Sequence, residues 1–112
     1  MKIRFASDAL AAMCNDRSSI ERRWKGEKGQ CLCRRLVQLA ALPNLHLFAA
    51  IPGAVSLPVR PSKTGELKTH VFASLHIRLK IDHEPIPVLK DGSAKCKEID
   101  RILILEVIDG GD

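Results

Sequence analysis

The chain has 112 residues, 46% hydrophobic and 28% charged, with a formal net charge of +5 and an isoelectric point near 9.3. That length suits one domain with a single core, and no apolar run approaches the roughly 20 residues a membrane-spanning helix needs. The opening MKIRFASDAL lacks the apolar stretch and cleavage pattern of a secretion signal, so a cytoplasmic protein without membrane contact is expected.

Lys2–Ala6 alternates as a short strand does, with Ile3 and Phe5 on one side and Lys2 and Arg4 on the other. Ser7 or Asp8 can cap a helix over Ala9–Asn15. Asp16 opens a second helical start, where Ile20 and Trp24 lie four apart and Arg17, Arg22 and Arg23 face water. Trp24, the single tryptophan, is expected to fill a joint between helices. After Gly26 and Gly29, Gln30–Ala41 reads as the longest helix, with Leu32, Leu36, Leu39 and Ala40 as its apolar stripe and Arg34, Arg35 and Gln38 off it. Pro43 stops it, Asn44–Ile51 adds a short helical turn, and Pro52-Gly53 breaks the chain direction.

The second half is strand-like. Ala54–Arg60 reads as a strand at an edge or bulge, because Pro58 cannot donate to a ladder. Pro61–Gly65 is a turn, Glu66–Phe72 a strand, and Leu75–Asp82 another with His76, Arg78 and Lys80 on its polar face. His83–Lys97 is a solvated loop, and Glu84, its lysines and the adjoining Asp82 read as solubility charges. In Glu98–Asp109, Ile102, Ile104 and Ile108 alternate with Leu103, Leu105 and Val107, so both faces are apolar and the strand belongs inside a sheet. A strand, helices, then four strands make an α+β sandwich with helices packed on one sheet.

The cysteines are spaced C-x16-C-x-C-x62-C, with no C-x2-C pair. Neither zinc nor a disulfide framework is expected, and the thiols read as small fillers. The positive charge biases the domain toward polyanions such as nucleic acid, the ribosome or an acidic protein.

Taken in order, RRLVQLAALPNL…AAIPGA (Arg34–Ala54), KTGEL (Lys63–Leu67), IRLKID (Ile77–Asp82), EPIPVLKDG (Glu84–Gly92) and ILILEVID (Ile102–Asp109) resemble the RelE/ParE superfamily of bacterial toxins. The nearest branch is HigB-like, often labelled host-inhibition or killer protein. The resemblance implies a RelE-like α+β fold, in which an N-terminal strand and helices pack on a mostly antiparallel, curved sheet of four to five strands. It implies the toxin of a type II toxin-antitoxin system, neutralised by a cognate helix-turn-helix antitoxin and meeting operator DNA only through it. Many relatives are metal-independent endoribonucleases that cleave mRNA on the ribosome; others, similar to ParE, inhibit gyrase. No cofactor or metal is implied.

The family's basic turn, of the form Lys-Gly-Asp-Arg-Lys-Gly, falls on Arg60–Gly65, giving Arg60 and Lys63 as cations and Thr64 in place of a third. The arginine of its Tyr-Arg-Leu strand falls on Arg78. Phosphate cleavage needs cations aimed at the scissile group and a proton-exchanging partner. The resemblance therefore implies Arg60, Lys63 and Arg78 for RNA binding, with Arg34 and Arg35 as further ribosomal contacts or simply wet helix faces. Arg78 and Lys63 are the catalytic candidates, with His76, two residues from Arg78 on the same strand face, as base. Other positions depart from the pattern. A histidine of some relatives falls on Leu57, and the C-terminal Tyr-His falls on Gly110 and Gly111, followed by Asp112. These departures motivate a second expectation, a binding module of the same fold that blocks a target or only holds its antitoxin.

Overall fold

The fold is described from a computed structural model covering residues 1–110. Strand β1 (Lys2–Phe5) leads into helices α1 (Asp8–Cys14), α2 (Arg17–Arg23), α3 (Glu27–Ala41) and α4 (Leu45–Ala49). Strands β2 (Glu66–Phe72), β3 (Leu75–Ile81) and β4 (Arg101–Asp109) follow, with a 3-10 turn at Cys96–Glu98 before the last. Local chemistry sets the helix starts. Ser7, Asp16 and Asn44 each accept a backbone N–H with their side chain, satisfying a donor the helix itself leaves free. α3 starts three residues earlier than expected, because Gly26 at φ 71 turns the chain into it without a side-chain cap.

The strands form one open sheet in the order β1-β4-β3-β2. β4 runs antiparallel to β3 and parallel to β1, so it is an interior strand, as its two apolar faces require. The first strand expected in the second half, Ala54–Arg60, is irregular chain instead. Its Ala54 and Val59 are buried in the core, and Val59 accepts the N–H of Ala94 from a loop rather than joining a ladder.

The expected phase of β4 also needs correction. Arg78 pairs with Glu106 and Leu79 with Ile104, leaving Leu105 as an extra residue. Such a bulge shifts the alternation by one. Val107 thus joins Ile102 and Ile104 against the core, while Ile108 lies opposite His76 on the other face.

Core side chains line the odd positions of β3 (Leu75, Ile77, Leu79, Ile81), with Ile102 and Ile104 beside them, under a helical layer built on Ile20, Leu32, Leu39 and Phe48. Of the expected α3 stripe, Leu32 and Leu39 are buried and Leu36 packs against the core, whereas Ala40 is exposed and Arg35, expected off the stripe, is half-buried. Trp24 is buried where α2 meets α3.

Ion pairs tie the layers together. Asp82, expected as a free loop charge, accepts Nε and Nη2 of Arg4 at 2.8 and 3.1 Å, joining β1 to the end of β3. Asp109 accepts Lys28 Nζ at 2.8 Å and Ser74 Oγ at 3.0 Å. Its bond from Lys28, then that from Ser74, hold its carboxyl below the usual carboxylate range. A lowered folded pKa contributes stability that is complete above the unfolded value, about 3.9, and is lost as pH falls through the folded one. Asp109→Asn is therefore expected to lower the urea midpoint at pH 7, with the difference from the parent shrinking as the pH drops below about 4. An unchanged midpoint at pH 7 would show the pair to be idle.

Candidate functional site

The register sorts the sheet into an apolar face and a polar one. Glu66 pairs with Lys80, Lys68 with Arg78 and His70 with His76, so these side chains share the face away from the core. Arg4 and Lys2 of β1 join them opposite Leu103 and Arg101. This open face carries Lys2, Arg4, Lys68, Arg78, Lys80 and Arg101 against the carboxylates Glu66, Asp82 and Glu106, a net positive surface.

At one end of that face, the irregular segment of residues 55–62 runs beside β2 and leaves a groove of about 420 Å³. Arg60, Lys68 and Arg78 line it with Glu66, Ser56 and Ser62. Arg60 and Arg78 thus border one groove. Lys63 does not: it is exposed on the turn that Gly65 closes, makes no ion pair among the described residues and does not line the groove.

Arg78 is already engaged. Its Nε donates to Glu106 Oε1 at 2.8 Å and its Nη1 to Glu66 Oε1 at 2.9 Å. These bonds, Glu106 first, raise its pKa. Two carboxylates thus hold one guanidinium, and these three groups together are net negative. Arg60 is more exposed, at 58%, and among the described residues is held by Asp91 alone: its Nη1 donates to the Asp91 carbonyl at 3.2 Å and its Nη2 lies 3.9 Å from Oδ2.

A scan against protein-family models, a search of curated proteins and a search of solved structures each return no match.

His76 shares the face of Arg78 as its spacing requires, yet it is poorly placed as a base. Its Nδ1 lies 3.2 Å from the Ser74 carbonyl, and its Nε2 is enclosed without a partner. It does not line the groove, whose one proton-accepting carboxylate is Glu66. Leu57, where some relatives carry a histidine, is 67% exposed. Gly110 is the last residue described; Gly111 and Asp112 lie outside the described residues.

The two α3 arginines have different surroundings. Arg35 donates Nε to the His70 carbonyl at 3.0 Å and Nη1 to Gln38 at 3.0 Å, and its guanidinium lies 5.8 Å from the Phe48 ring centroid. Burial lowers its pKa. It clamps α3 to the edge of the sheet, so it is not simply a wet helix-face charge; Arg34 remains exposed.

Sequence reasoning missed Glu66, Lys68 and Glu106. Glu66 and Lys68 carried a signal in their period-two spacing on one strand face, and Glu106 in its break of an apolar run. All four cysteines are free and half-buried, and burial pushes the Cys14 thiol up to about 11. Among the described residues, no three histidine, cysteine or acidic side chains gather in a way that could hold a metal ion. No helix among them is long and apolar enough to cross a membrane.

Proposed function

We propose that the chain is a toxin of a bacterial type II toxin-antitoxin system, of the HigB-like branch of the RelE/ParE superfamily, and that it acts by occupying its target rather than by cutting RNA. The ordered motifs support the system, and so does an architecture of a leading strand, helices on one face and a mostly antiparallel sheet. The observation that carries the choice of binding over cleavage is the double carboxylate grip on Arg78. A phosphate would have to displace two negative groups already within hydrogen-bonding distance. With His76 Nε2 enclosed and both His76 and Lys63 outside the groove, the three residues expected to share the chemistry do not line one cavity.

Cleavage of ribosome-bound mRNA is the second reading, favoured by one observation. Glu66, Lys68 and Arg78 line a single groove and could supply proton acceptor, proton donor and phosphate clamp once the Arg78 pairs open. Expression from an inducible promoter, with growth curves and primer extension on cellular mRNA, separates these readings. Growth arrest with intact transcripts is expected. Discrete cuts that vanish with Arg78→Ala would replace binding by cleavage. Unimpeded growth would leave a protein that only holds its antitoxin.

A further inference from the structure

The segment of residues 55–60 is a ridge with a groove on each side. Pro58 lines both the cationic groove at β2 and a second groove of about 530 Å³ on the far side. The second groove is lined by Leu57, Val59, Leu89 and Ala94, with Lys95, Lys97 and Glu98 as its charged groups. Its frame is hydrogen-bonded: Ala94 N–H donates to Val59 at 2.9 Å, Lys95 N–H to Pro87 at 2.9 Å and Leu89 N–H to Ser93 at 2.7 Å. Two leucines from distant parts of the chain nevertheless point out of this frame, Leu57 67% and Leu89 48% exposed. Single exposed leucines are ordinary, but converging ones on a fixed, concave frame mark a contact surface.

The charge around the groove selects the occupant. Lys95 and Lys97 stand at its edge, Lys90 follows Leu89 in the sequence, and Arg60 lies over the ridge. Against them are Glu98, 3.6 Å from Lys95, and Asp91, whose carboxylate lies 3.9 Å from Arg60 and whose carbonyl accepts Arg60 Nη1 at 3.2 Å; both ion pairs are exposed and of the kind that hold weakly. We infer that this groove docks an amphipathic, acidic segment of a partner protein, the leucine-type residues of which fill the Leu57–Leu89 surface. Its carboxylates meet the lysine rim and reach over the ridge to Arg60. The inference rests on the toxin reading only in naming the antitoxin as that partner. It supplies a route to neutralisation: one ligand anchored by apolar contact on one side of the ridge places negative charge in the cationic groove on the other.

The test uses the full chain and two synthetic helical peptides, one with leucine at i, i+4 spacing and glutamate elsewhere, the other with lysine replacing each glutamate. Fluorescence anisotropy is expected to give tighter binding of the acidic peptide by at least about tenfold. Leu57→Ser with Leu89→Ser, and separately Lys95→Glu with Lys97→Glu, should each weaken it by about tenfold or more. Urea midpoints close to the parent's would show that these exposed substitutions leave the fold intact. Equal binding of both peptides, or parental affinity in both double variants, overturns the inference. So does a concentration-dependent dimer that Leu57→Ser abolishes, since the groove would then serve a second copy of the chain. Growth arrest plays no part in this assay, so failure of the toxin reading shows separately, in growing cells.

Discussion

Gly29→Ala is expected to cost about 2–3 kcal/mol of folding stability, although alanine is the better helix former by about 1 kcal/mol. Gly29 is buried in the first turn of α3, and a Cβ built on it would lie 2.2 Å from the carbonyl oxygen of Trp24 and 3.4 Å from its carbon. The obstacle is backbone, so no side chain can swing aside. α2 and α3 would have to separate, opening the joint that Trp24 seals. Against a typical net stability of about 5–15 kcal/mol the loss is large. Urea denaturation should show a lower midpoint with an unchanged slope. Gly53→Ala is the control: a Cβ there meets nothing within 4 Å, and only its φ of 77° is costly, about 1–2 kcal/mol. If Gly29→Ala proved as stable as its parent, the close approach of α2 to α3 would be wrong.

Releasing Arg78 is expected to strengthen polyanion binding. In Glu66→Gln with Glu106→Gln, the side chains 2.9 and 2.8 Å from the guanidinium lose their charge, and the local cluster changes from negative to positive. The double variant should bind a single-stranded oligouridylate about tenfold more tightly at low salt, with a steeper salt dependence, by about 0.7 in log-log slope for each phosphate gained. Adding Arg78→Ala should cancel the gain, because the freed cation is its source. No gain in the double variant would mean that Arg78 serves only to cross-link β2, β3 and β4. A gain accompanied by new mRNA cleavage in cells would favour the nuclease reading and cast the two glutamates as its brake.

What the sequence disclosed, and what it withheld, follows from the range of the forces involved. β2 and the polar face of β3 were legible because period-two alternation is local, and the interior place of β4 because a strand apolar on both faces needs cover on both. The bulge at Leu105 was not, since an extra residue shows only against a partner strand; Glu106, interrupting the apolar run, was its one trace. Ala54–Arg60 carried strand-like residues, yet its partners are a loop and the core, and Pro58 was the better guide to its irregular path. For the candidate site, the types of side chain were readable but their pairing was not. Glu66 and Glu106 reach Arg78 from two other strands, so nothing in the spacing around residue 78 announces them. Arg35 misled for the converse reason: a charge near an apolar stripe looks solvated until the Phe48 ring and the His70 carbonyl come beside it.

The position of β4 has a bearing on synthesis. β1 emerges first but has no neighbour in the sheet until the strand beginning at Arg101 arrives, and β3 likewise presents one bare edge until then. A parallel pair joined across nearly the whole chain closes late, because its loop entropy must be met before any contact rewards it. While the nascent chain is being made, those edges offer unpaired N–H and C=O groups to any passing strand. The polar face of the sheet is therefore complete only once β4 has paired with β1 and β3.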